Sequence, residues 1–142
     1  MTIEEKQKEL IDEFSLFPDW EDKYKLIIDK AKEAEPFPEE ERTEKNKIKG
    51  CQSQVWLTAK YENGKVKFWA DSDSVLVKGI TAILVYVYSG HTPDEILKTP
   101  PAFLEQIGIT QHLSPTRKNG LSAMLKQIQL YAVAFKSLGN NK

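Results

Sequence analysis

The stretch Gln54-Val55-Trp56-Leu57-Thr58-Ala59-Lys60-Tyr61, then Glu62-Asn63-Gly64-Lys65, then Val66-Lys67-Phe68-Trp69-Ala70, decides the fold. Its first part is rich in β-formers and has no helix punctuation. Asn-Gly supplies the positive φ angles that a tight hairpin turn requires. On the return strand Val66, Phe68 and Ala70 alternate with Lys65, Lys67 and Trp69, the period of a strand with one buried face. Asp71-Ser72-Asp73-Ser74 then reads as a helix start, with an Asp or Ser side chain accepting backbone N–H bonds. The helix predicted from Ser74 to Tyr88 is apolar on most faces, which marks it as the buried central helix, and Gly90 ends it.

Helices are expected on both sides of this unit. Thr2 is a suitable cap for a helix to Phe14, with Glu4 and Glu5 where the helix dipole favours acids. Phe17-Pro18-Asp19 breaks it, and Asp19 can cap a second helix carrying Trp20, Tyr24, Ile27, Ile28 and Ala31. Pro36 and Pro38 stop that helix, and residues 35–49 read as a long polar surface loop. After the central helix, Thr92-Pro93-Asp94-Glu95 starts a short helix that Pro100 and Pro101 terminate. Ala102 to Ile107 allows another, with Gly108 behind it, and Thr110 to Pro115 is a loop. The last helix runs from near Thr116 to Leu138, closed by Gly139, with Leu121, Met124, Leu125, Ile128, Tyr131, Phe135 and Leu138 as its core stripe. The sum is an α+β chain, a small antiparallel β-sheet flanked by N-terminal and C-terminal helices.

At 142 residues, with no repeats or long linker, residues 1–142 are expected to form a single domain. The charge is balanced, 20 Lys+Arg against 21 Asp+Glu, which argues against a general nucleic-acid binder. It is unevenly placed: residues 1–41 carry 6 basic and 14 acidic side chains, residues 42–142 carry 14 and 7. Either the acidic part folds back on the basic remainder, or the surface is polarised toward a charged partner. No apolar run approaches the length of a membrane span. The start MTIEEKQKEL lacks the apolar core of a signal peptide, so a cytoplasmic location is expected.

Cys51 is the sole cysteine. Disulfides within the chain and metal or cluster sites built on several cysteines are excluded, and His91 and His112 are too few for a convincing zinc site. No metal or other cofactor is expected. Arg42, Lys45, Lys47 and Lys49 outweigh Glu44 just upstream of Cys51, and nearby positive charge favours the thiolate. A free cysteine can equally be a small buried hydrophobe, although Gly50, Gln52 and Ser53 are not core-like neighbours. Three chemistries are open to a lone thiol. A Cys–His hydrolase would need His91 or His112 as its base. A redox thiol usually works with a resolving cysteine, which this chain lacks. A sulfur carrier needs one reachable thiolate and neither metal nor second cysteine, and fits the inventory best.

Gly50-Cys51-Gln52-Ser53-Gln54-Val55-Trp56 resembles the cysteine motif of the SufE family, sulfur acceptors that partner cysteine desulfurases. Asp71-Ser72-Asp73 followed by Val77-Lys78-Gly79, and Thr110-Gln111-His112-Leu113-Ser114-Pro115-Thr116-Arg117 followed by Asn119-Gly120-Leu121, match in the same order. Thr116 stands where the family pattern has Ser, which keeps the hydroxyl.

The resemblance implies a fold shared with IscU-type scaffolds. It also implies partners: a SufS-like cysteine desulfurase, whose pyridoxal phosphate belongs to that enzyme, and a SufBCD-like scaffold complex. Cys51 would take persulfide sulfur from the first and pass it to the second. Asp71 and Asp73 would either cap the central helix or close over the Cys51 segment. Gly50, Gln52, Gln54, His112 and Arg117 would shape the thiol environment or dock the partner. The alternative is a binding module that regulates a partner without carrying sulfur, with Cys51 structural.

Overall fold

The computed structural model describes residues 1–50 and 53–140. At its centre is an antiparallel hairpin, β1 (Val55–Glu62) and β2 (Lys65–Ser72), in register from Val55↔Ser72 to Glu62↔Lys65. Asn63 and Gly64 at the turn both have positive φ, 54° and 78°, as an Asn-Gly type I′ turn demands. Residues of alternate parity divide the two faces. Val55, Leu57, Val66, Phe68 and Ala70 are buried on the inner face, and Lys60, Lys65 and Lys67 are exposed on the outer one.

The inner face packs on α3 (Val75–Tyr88), whose Ile80, Ile83, Leu84 and Val87 are buried. Ser74, not an aspartate, caps this helix, its Oγ accepting from Val77 N at 3.4 Å. The opposite side of α3 packs on α2 (Trp20–Glu33), while α1 (Ile3–Ser15) lies against α3 as well. α1 begins with a complete capping box: Glu5 N donates to Thr2 Oγ1 at 3.1 Å and Thr2 N donates to Glu5 Oε1 at 2.9 Å. Asp19 occupies the cap position of α2, but its side chain accepts no capping bond.

The α2–α3 contact is close because of one residue. A Cβ at Gly79 would meet the carbonyl oxygen of Ile27 inside van der Waals distance and its carbonyl carbon at 2.9 Å. The Lys78-Gly79 pair that the sequence presented as a motif is therefore, at Gly79, a helix-packing requirement.

α4 (Pro93–Lys98), capped by Thr92, and α5 (Phe103–Gln106) lead to α6 (Pro115–Asn140). α6 packs on α4 and on β1. Its Phe135 ring stacks on Tyr61 with centroids 5.3 Å apart, and Lys136 pairs with Asp94 at 2.8 Å. The expected core stripe holds at Met124 and Ile128 and is half-buried at Leu121, Leu125, Tyr131 and Phe135. Leu138 departs from it, 56% exposed, because α6 outruns the body against which it packs. The helix also continues through Gly139 to Asn140 instead of closing there.

Residues 35–49 are more ordered than a polar surface loop. Two 3₁₀ turns, Glu39–Glu41 and Glu44–Asn46, are stapled by Asn46 Nδ2 donating to Glu41 O at 2.7 Å and to Glu41 Oε2 at 3.0 Å. Phe37 is buried, and Lys47 forms a β-bridge to Trp56. The segment lies over the outer face of the hairpin, and Lys67–Glu35 and Arg42–Glu39 ion pairs join the acidic first part of the chain to the basic remainder.

Candidate functional site

The segment containing Cys51 joins the 35–49 region to β1, and both of its limbs are fastened to the same end of the hairpin. On the incoming limb Ile48 N donates to Val55 O at 2.8 Å. On the outgoing limb Gln54 N donates to Asp73 Oδ1 at 3.0 Å, and Asp73 N returns a bond to Gln54 O at 3.2 Å. Gly50 has φ +87°, a conformation that a side-chain-bearing residue rarely adopts, so glycine is required where the chain turns. Cys51 and Gln52 lie outside the described residues.

Asp71, the partner of Trp56 across the hairpin, is committed elsewhere. Its Oδ2 lies 2.8 Å from Arg42 Nη2, its Oδ1 accepts from Ser72 N at 2.8 Å, and Lys78 Nζ stands 3.6 Å away. Neither Asp71 nor Asp73 caps α3, because Ser74 already does so. Each aspartate instead meets one limb of the Cys51 segment, Asp71 through Arg42 and Asp73 through Gln54.

A mainly apolar pocket of about 40 Å³ opens beside Ser53, lined by Val55, Val77, Ile80, Leu113, Met124 and Arg117. Arg117 is exposed on the first turn of α6 and forms no ion pair with another described residue. Its backbone N–H donates to Ser114 Oγ at 3.2 Å, so Ser114 caps that helix. His112 is exposed in a 3₁₀ turn, and its ring stacks on Trp20 of α2, centroids 4.2 Å apart and 14° from parallel. Leu113 and Arg117 therefore meet Ser53 at the pocket, while His112 is engaged by α2. Among the described residues no group of His, Cys, Asp and Glu could hold a metal ion, and no helix is long and apolar enough to cross a membrane.

A family model described as "SufE: Fe-S metabolism associated domain" matches residues 8–132. The chain belongs to the SufE family. Its domain is thus one associated with iron–sulfur metabolism. An uncharacterized SufE-like protein of Synechocystis sp. is 37% identical over 135 residues, 95% of this chain and 85% of that protein. Another from Rhizobium etli is 39% identical over 126 residues, 85% of each chain. The solution structure of a hypothetical protein from Thermus thermophilus superposes with a TM-score of 0.74 at 25% identity, covering 91% of this chain and 94% of that one.

In this SufE chain His91 stands apart from the thiol segment. It bridges to Val66, which is opposite Tyr61 at the turn end of the hairpin. Tyr61 lies six positions along the strand from Val55, a span of roughly 20 Å. His91 is buried beside Glu95, its Nδ1 3.0 Å from Glu95 Oε2. A carboxylate only accepts, so Nδ1 carries the hydrogen and Nε2 is left buried without a partner among the described residues. Burial is the main cause that lowers its pKa below the usual histidine value, and the Lys6 charge adds to it; the Glu95 hydrogen bond and charge oppose.

The sign of the consequence follows from linkage. The unfolded chain protonates His91 first as pH falls through about 6.5, so stability is lost from there down to the depressed folded pKa. A His91→Gln variant is expected to lose less stability between neutral pH and pH ~5 than the parent, read as urea midpoints at both pH values. Equal losses in the two proteins would assign the acid sensitivity to other groups.

Sequence reasoning passed over Arg42 except as one of four cations. The signal available was weak: an Arg three residues after Glu39 and five after an aromatic residue, a pattern that many exposed loops share.

Proposed function

We propose that this SufE-family protein is the sulfur acceptor and activator of a SufS-like cysteine desulfurase, with Cys51 as the carrier. The observation that supports this most is the position of the sole cysteine along a chain of this family: it falls between two limbs that the folded hairpin holds together, and Ser53 of the outgoing limb lines an apolar pocket. The Cys51 thiolate attacks the terminal sulfur of the desulfurase persulfide. A new S–S bond forms on Cys51, the old one breaks, and the desulfurase thiolate leaves, as in thiol–disulfide exchange. No oxidant is consumed. The sulfur then passes to a SufBCD-like scaffold. Draining the covalent intermediate frees the desulfurase for another turnover, which is how the acceptor stimulates it.

Other features support parts of this reading. Arg117 and the lysines around the segment offer positive charge to a thiolate and to an acidic partner surface. Gly50, Gln52 and Gln54 make up the thiol's sequence neighbourhood, Asp71 and Asp73 engage its limbs, and His112 belongs to the docking face. A Cys51–His91 catalytic pair is disfavoured, since His91 bridges to the far end of the hairpin.

The test is intact mass under non-reducing conditions after incubation with a cysteine desulfurase and L-cysteine. The expected product carries one additional sulfur atom, and reductant removes it. No gain while the desulfurase demonstrably turns over would overturn the carrier role and leave the regulatory module, which needs no thiol chemistry, as the better reading.

A further inference from the structure

We propose that Arg42 is a positioning residue for Cys51, holding the incoming limb of its segment on the hairpin through Asp71. The Arg42 guanidinium is held by two carboxylates and two aromatic rings. Nε and Nη2 form a fork on the Glu39 carboxylate at 3.1 and 3.0 Å, and Nη2 also reaches Asp71 Oδ2 at 2.8 Å. The carbon of the guanidinium lies 5.2 Å from the Phe37 ring centroid and 4.8 Å from that of Trp56. Only an arginine provides a planar fork and a stacking surface together, which an ammonium cannot replace. The hydrogen bonds that Arg42 donates to Glu39 and Asp71 push its pKa further above the usual arginine value.

The placement of this node matters. Glu39 and Phe37 belong to the segment that leads to Cys51, whereas Trp56 and Asp71 face each other across the hairpin. Arg42 therefore couples the segment to both strands. Downstream, the Asn46 staple, the Lys47 bridge to Trp56 and the Ile48–Val55 bond complete the attachment up to the root of the thiol segment. Removing Arg42 opens the first of these fastenings without leaving Asp71 stranded, because Ser72 N and Lys78 still attend it. The fold is thus expected to survive while the limb loosens.

This inference rests on the carrier reading for its purpose, yet part of its test does not. In the free protein, alkylation of Cys51 by iodoacetamide is followed across pH, which yields both an apparent thiol pKa and a limiting thiolate rate. For Arg42→Gln the limiting rate is expected to rise about fivefold or more, as a limb with fewer fastenings to the hairpin opens more often. The apparent pKa should stay in place, and the urea midpoint should stay close to that of the parent. Asp71→Asn should reproduce the effect, and the double variant should add little to either, because both act through one contact. Arg42→Lys should fall between, keeping the charge for Asp71 but losing fork and stack. With a desulfurase, sulfur acceptance by Arg42→Gln should drop about tenfold, since misplacement of a reacting group by even 1 Å is costly. A limiting alkylation rate at or below the parent's overturns the proposal. So does a raised thiol pKa with an unchanged limiting rate, which would make Arg42 an electrostatic partner instead. If the parent accepts no sulfur, the alkylation arm still judges Arg42 while the carrier reading falls separately.

Discussion

Cys51→Ser is expected to reduce desulfurase turnover to its unstimulated rate, a complete loss of the activating effect. Serine is close to cysteine in size and keeps a polar hydrogen-bearing group. It loses the chemistry, because a hydroxyl ionises far above the thiol's reference pKa of about 8.5 and cannot hold sulfur as a persulfide. The comparison is informative because the variant leaves every other residue of the chain unchanged. Steady-state turnover with saturating acceptor, checked against unchanged far-ultraviolet circular dichroism, reads the effect directly. The regulatory alternative predicts the opposite result: a protein that stimulates by binding alone keeps its effect when the thiol is gone. Stimulation retained by Cys51→Ser would sink the carrier mechanism even if Cys51 could be persulfidated.

The second large effect concerns stability. Gly79→Ala is expected to destabilise the protein by about 3 kcal/mol, the upper end of the usual overpacking range, lowering the melting temperature by roughly 10 °C. Helix propensity alone predicts the reverse, a gain of about 1 kcal/mol for replacing glycine inside a helix. Packing wins because the added methyl meets backbone: the Ile27 carbonyl, on a helix that cannot move aside without disturbing fully buried Ile27 itself. Flexible side chains could yield, but a carbonyl in a helix is held by its own hydrogen bond. Thermal unfolding of the single variant decides the matter by its sign. A raised melting temperature would show that α2 and α3 separate more easily than their contact suggests.

Much of this architecture is local chemistry, and local chemistry is legible in a sequence. The hairpin follows from Asn63-Gly64, the first helix from Thr2 and Glu5, the fourth from Thr92-Pro93, and the buried central helix from its apolar surface. The first three rest on residues within four positions of one another, where backbone geometry and capping act, and the central helix on a run of neighbours in one element. Boundaries were less legible where two residues could do the same job. Asp71, Ser72, Asp73 and Ser74 are all competent caps, and which of them serves α3 depends on what else claims the others.

That dependence marks the limit. Fold class, the sole cysteine and the family motifs around it were all readable along the chain. Packing in three dimensions settled that Asp71 and Asp73 attend the two limbs of the Cys51 segment, that Arg42 is the hub of the incoming one, and that Gly79 serves a helix contact. It also settled that Leu138 is exposed, since a 3.6-residue period tells which face of a helix is apolar and not where the neighbouring body ends. The first three share a cause. An ion pair, a stacked guanidinium or a close helix crossing joins residues far apart in the chain. Such a contact exists only once the hydrophobic core has brought the strands and helices together.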